Sequence, residues 1–172
     1  MKKFILVNVF VLALASMVFA MDTDIEKHPS CAYCGMDREK HAHSRVLIEY
    51  EDGTSFGACS LHCAAVDLAI NIDKAPMFIG VGDYYSKKLI NAEKAFWVVG
   101  GSKPGVMTVN AKWAFEDKRA AGKFIRENGG VPATFDEAIK AAYEDMYKDT
   151  KQIRERRKMR RSSRPGGPSE SR

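Results

Sequence analysis

The chain has 172 residues, 45% of them apolar, with 27 basic and 22 acidic side chains, enough for one domain or two small ones and too apolar for a wholly disordered chain. The positive balance is uneven. From Lys151 onward nine basic residues face only Glu155 and Glu170, whereas Met21 to Thr150 holds 16 basic and 20 acidic side chains. The body is mildly acidic, so the overall basicity does not mark a nucleic-acid binder.

Lys2 and Lys3 precede an uncharged run from Phe4 to Ala20 that closes on Val18, Phe19 and Ala20. This pattern predicts a cleaved secretory signal over residues 1–20, a mature chain starting at Met21 and a periplasmic location. The run is somewhat shorter than a typical membrane-spanning helix of about 20 apolar residues, which argues against an anchor. The first cysteine is Cys31, so no cysteine is placed for lipid attachment at the cleavage edge.

Arg45 to Tyr50 reads as a strand, Asp52 and Gly53 as a tight turn, and Ser55 to Ala58 as the returning strand. Ser60 is placed to cap a helix from Leu61 to about Ile70, with Leu61, Ala65, Leu68 and Ala69 on one face and Asp67 off it. Met77 to Val81 and Phe96 to Val99 are further strand candidates. Val106 to Val109 and Lys112 to Phe115 are expected to form a second hairpin. Asp117 opens a helix carrying Ala120, Ala121, Phe124 and Ile125, and Asn128, Gly129 and Gly130 end it. Thr134 to Glu137 is a capping box, followed by Ile139, Ala142, Tyr143 and Met146 at helical spacing.

The order ββα followed by ββα predicts an α+β fold of two similar halves, about 28–92 and 93–150, with a C-terminal helix. Apolar periodicity fades after Tyr147, so residues 151–172 are expected to form a basic, disordered tail.

The chemistry is concentrated in four cysteines. Cys31 and Cys34 form a C-x-x-C, and Cys59 and Cys63 form a C-x-x-x-C enclosing His62. The expected elements put one pair before the first hairpin, Cys59 at the end of its second strand and Cys63 in the first turn of the next helix. There the helix dipole is expected to lower the Cys63 pKa.

Four sulfurs converging in this way admit two disulfides, a zinc site, a thiol-disulfide oxidoreductase or a soft-metal site. The C-x-x-C does not begin a helix in a βαβ unit, which weighs against a redox enzyme. Met36 favours the soft metal, because thiolate and thioether together select Cu(I). Gly35 between Cys34 and Met36 allows both sulfurs to turn toward one ion. Met107 lies in a similar glycine-containing loop. His28 and His62 are candidate nitrogen ligands, while His41 and His43 are expected to face solvent.

The run of Cys31, Cys34, Gly35 and Met36, then Asp52, Gly53 and Phe56, the segment from Ala95 to Gly100, Pro104 to Met107, and Ala114 with Phe115 resembles the NosL family. Those proteins are accessory factors that carry Cu(I) for nitrous-oxide reductase in the periplasm. The resemblance runs from about His28 to Ala138. It implies a fold of two ββα-containing halves and Cys34, Met36 and Met107 as copper ligands. The missing lipoprotein cysteine departs from that family. Cys59 and Cys63 depart from it too, and their C-x-x-x-C resembles the YHS and TRASH metal-binding modules, which adds Cys31, Cys59 and Cys63 to the candidate ligands.

The resulting expectation is an exported Cu(I) chaperone, not an enzyme, that serves a periplasmic copper-accepting protein and binds no nucleic acid. The alternatives are a binder of zinc or mercury through all four cysteines, or a periplasmic thiol-disulfide oxidoreductase.

Overall fold

The computed structural model describes residues 23–163. The expected signal over residues 1–20 and the chain beyond residue 163 lie outside the described residues. Four helices and seven strands make up this part: α1 (Thr23–Lys27), β1 (Val46–Tyr50), β2 (Ser55–Ala58), α2 (Leu61–Ile70), β3 (Pro76–Gly82), β4 (Leu89–Asn91), β5 (Phe96–Val99), β6 (Lys112–Phe115), α3 (Lys118–Asn128), β7 (Val131–Ala133) and α4 (Phe135–Ser162). No described helix is long and apolar enough to cross a membrane.

The strands form two antiparallel sheets, one in the order β2-β1-β3-β4 and one in the order β6-β5-β7. The α+β expectation therefore holds, with two antiparallel sheets and a C-terminal helix. Strand β1 is central because Val46, Ile48 and Tyr50 alternate along it and are all buried, as a strand with one face on the core requires. Its register sets Val46 opposite Ala58 on β2 and Val81 on β3. Asp83 links the sheets: it follows β3, forms a bridge with Ala114 of β6, and accepts the Glu116 backbone N–H.

Helix α2 covers the first sheet with Leu61, Ala64 and Ala65, and the two small alanines permit close approach. Helix α3 covers the second sheet, where Phe124 meets Phe115 at 5.3 Å between ring centroids. Asp117 caps α3 by accepting the Arg119 N–H. The Thr134 and Glu137 capping box of α4 is formed in both directions. From there α4 places Ala138 and Ala142 in the core, with Ile139 and Met146 packed beside them, and touches both α2 and β5.

Three expectations need correction. Val106 to Val109 is a bent loop, and β6 pairs with β5 instead. The reason is long-range: Asp149 of α4 accepts the Val109 N–H at 3.0 Å, and Asp145 accepts from Asn110 at 2.9 Å, so the loop's polar groups are satisfied by the helix and not by a partner strand. The short strands β4 and β7 were not expected. β7 contains Pro132, and a three-residue edge strand with a proline carries little local signal.

The third correction concerns the tail. Residues 151–162 continue α4 as helix, where a disordered segment was expected. The extension carries exposed basic side chains, and an exposed helix adds little to stability without packing. Truncation after Thr150 is therefore expected to lower Tm by no more than about 4 °C, checked by thermal circular dichroism. Loss of the cooperative transition would make the extension part of the core.

Before β1 the chain is held by a buried ion network. Arg38 is 0% and Arg45 1% exposed, and Asp24 of α1 is 6% exposed. The Asp24 carboxylate accepts from Arg38 Nη2 at 2.9 Å and from Arg45 Nε and Nη2 at 2.9 and 3.1 Å. The remaining Arg38 donors reach the carbonyls of Asp24, His28, Val46 and Ala58. Buried guanidinium groups need such complete pairing. The network fixes the segment that leads into the first cysteine pair, and through Ala58 it also grips the strand end that presents Cys59.

Candidate metal centre

The first cysteine pair sits in a tight knuckle. The Gly35 N–H donates to the Cys31 carbonyl and the Cys31 N–H to the Met36 carbonyl, each at 2.8 Å. Gly35 adopts φ +72, a conformation that side-chain-bearing residues rarely take. The knuckle is anchored by Tyr33, whose hydroxyl donates to Asp67 at 2.8 Å. Asp67 lies on α2, is 3% exposed, and also accepts from Tyr50. The carboxylate thus ties the loop of Cys31 and Cys34 to the helix of Cys63.

Asp67 is a supporting residue that periodicity missed. Its place off the apolar face of α2 reads as solvation in one dimension, while two tyrosine hydroxyls bury it in three.

Cys59 directly follows β2 and Cys63 lies in the first turn of α2, close to the expected places. The four sulfur atoms converge within 4.8 Å of one another. Cys34 and Cys59 are 3.4 Å apart, and Cys59 and Cys63 are 3.9 Å apart. All four are free thiols; Cys31, Cys59 and Cys63 are buried, while Cys34 is partly exposed.

Thiols in mutual contact do not ionise independently. Hydrogen bonds from Cys34, Cys59 and Cys63 hold Cys31 far below the ordinary thiol range. Cys34, raised by Cys31 but lowered more by Cys59 and Cys63, settles at about 7. The hydrogen bond to Cys31 pushes both Cys59 and Cys63 up, and burial adds to it. The expected lowering at Cys63 is therefore overturned, because three sulfur neighbours and burial outweigh a helix dipole.

The two histidine candidates do not join the cluster. His28 Nε2 pairs with the Ser55 hydroxyl at 2.9 Å, and His62 Nδ1 faces the Asp149 carboxylate at 3.5 Å. Burial lowers the His62 pKa, against the opposing pull of Asp149. His41 and His43 do not simply face solvent. Both are half-buried, and the His43 ring lies 5.5 Å from Trp113.

Cys34, Met36, Met107, His41 and His43 line one open cleft of about 790 Å³, whose other wall is the α4 extension. Met107 has φ +61, a left-handed conformation that is uncommon for a residue with a side chain. The loop holds it because the backbone two residues on is fixed by Asp149. The structure thus gathers the four cysteines into one nest and sets both methionines in the cleft that Cys34 shares.

Fold and site together define an α+β protein with a buried nest of four thiols opening through one cysteine to a methionine-lined cleft, a centre suited to a thiophilic metal ion. Residues 22–143 match the NosL family, and the chain belongs to that family. No curated protein matches the chain. Among solved structures, the copper chaperone NosL from Shewanella denitrificans is similar with a TM-score of 0.51 and 24% identity, over 63% of this chain and 87% of that one. At that identity the likeness concerns the fold.

Proposed function

We propose that the protein is an exported carrier of Cu(I), and that it hands the ion to a copper-accepting periplasmic protein such as nitrous-oxide reductase or its assembly machinery. The observation that carries this reading is the asymmetry of the sulfur set. Three thiols are sealed in the core, and the fourth, Cys34, opens to a cleft that Met36 and Met107 also line. Membership in the NosL family and the likeness to a copper chaperone support the same cargo.

Soft sulfur donors select Cu(I). A carrier must also release its ion, which requires one ligand within reach of the acceptor. Cys31, Cys59 and Cys63 shield the ion from water, and Cys34 is the ligand that an incoming donor atom displaces. Met36 and Met107 hold the ion weakly on its way out, because neutral thioethers bind less strongly than thiolates. The chain acts by binding and exchange and not by catalysis.

The methionine role has a direct test. Met36→Leu and Met107→Leu nearly conserve volume, so each is expected to cost less than about 1.5 kcal/mol of stability. Each is expected to weaken Cu(I) binding about tenfold or less in anaerobic chelator competition, while Cys34→Ser weakens it far more. Cu(I) affinity unchanged in Cys34→Ser would refute the reading.

A second reading is favoured by the nest itself. A tetrahedral zinc ion with Zn–S bonds of about 2.3 Å sets its sulfurs about 3.8 Å apart, close to the spacings at Cys59. Zinc held by all four cysteines would make the centre a resident or sequestered ion site. Metal analysis of anaerobically purified protein, with a count of free thiols, separates the two: copper at one equivalent supports the carrier, and zinc with all thiols blocked supports the alternative.

A further inference from the structure

The extension of α4 is more than a charged tail. Between Lys151 and Ser163 it carries seven basic residues and a single acid, Glu155. Ile153, Arg156, Arg157 and Arg160 recur at i, i+3, i+4 and i+7, so they share one helix face. All four line the same cleft as Cys34, Met36 and Met107. The three arginines are exposed and form no ion pair among the described residues. Arg154, Lys158 and Arg161 fall on a different face.

We infer that the arginine face of the α4 extension is the docking surface for an acidic protein partner, and that it seats this partner's metal-accepting residues over Cys34. The inference rests on the reading of the protein as a metal carrier. Guanidinium groups recognise carboxylates through paired donors, and a one-signed wall beside a cleft steers an oppositely charged partner into it. The position of the arginines favours a protein over an anionic membrane. They border the mouth through which the ion must pass, and a lipid surface there would cover Cys34 without accepting metal. Ile153 supplies an apolar contact at the foot of the wall.

The test uses two synthetic peptides that share one Met-x-x-Met copper-binding sequence, one flanked by Asp and Glu and the other by Asn and Gln. Binding to the reduced, metal-free chain is followed by fluorescence anisotropy, and copper transfer from the loaded chain by stopped flow. The acidic peptide is expected to bind at least about tenfold more tightly at low salt, and to lose that advantage at about 0.5 M salt. The triple variant Arg156→Gln, Arg157→Gln, Arg160→Gln is expected to abolish the preference. The control variant Arg154→Gln, Lys158→Gln, Arg161→Gln removes equal charge from another face and is expected to keep most of it.

Equal binding of the two peptides, or equal loss in both variants, overturns the inference. So does tight binding to phosphatidylglycerol vesicles without a preference between peptides, which would make the extension a membrane contact. Because the binding arm needs no metal, a chain that fails to load copper refutes the carrier reading while the docking surface is still decided.

Discussion

Cys59→Ser is expected to lower Cu(I) affinity by at least about a hundredfold. Cys59 is in contact with both Cys34 and Cys63 and is 0% exposed, which sets its sulfur between two others in the nest. Serine is nearly isosteric, but its neutral oxygen is a poor partner for a soft cation. The Ser60 hydroxyl lies 3.8 Å from the Cys59 sulfur and offers the new hydroxyl a polar neighbour, so the fold is expected to survive. Anaerobic chelator competition measures the affinity, and the thermal transition monitors folding. A folded Cys59→Ser variant with unchanged affinity would confine copper to Cys34, Met36 and Met107 and leave the deeper thiols without a share in it.

Asp24→Ala is expected to cost about 3–5 kcal/mol, the range for leaving a buried charge without its partner. Two guanidinium groups lose their common carboxylate in this variant, and both are fully buried. Urea unfolding followed by circular dichroism gives the loss as a lower midpoint. Adding Arg45→Met is expected to recover part of it, since one of the two orphaned cations is then replaced by an apolar chain of similar length. No recovery would mean that Asp24 acts through α1 alone. Because Arg38 also holds the Ala58 carbonyl next to Cys59, metal affinity is expected to fall along with stability.

Much of the frame was legible in one dimension because its signals are local. The Asp52 and Gly53 turn, the hairpin it joins, α2 behind Ser60 and the Thr134 capping box each depend on residues only a few positions apart. The cysteine pairs were readable as one cluster for a related reason: a short hairpin returns the chain to its starting point, so groups flanking it meet. Even here a local rule failed at Ser60. It occupies the N-cap position without a side-chain capping bond, and the sulfur of Cys59 takes up its oxygen.

Where distant segments compete for the same polar group, the pattern along the chain was silent or misleading. Asp145 and Asp149 hold residues 106–109, expected as a strand, in the loop that carries Met107. Asp67, polar on an apolar helix, becomes the buried anchor of the cysteine knuckle. Arg38 and Arg45 look like ordinary surface charges until Asp24, many residues earlier, pairs with both.

Local patterning accounts for most of the elements and their starts, and it singled out four cysteines and two methionines as candidates for one soft-metal site. Tertiary packing alone sets which thiol stands at the surface and makes the basic end of α4 the opposite wall of the cleft. Those properties depend on burial and on distances between segments remote in sequence, and neither quantity is carried by local propensity or periodicity.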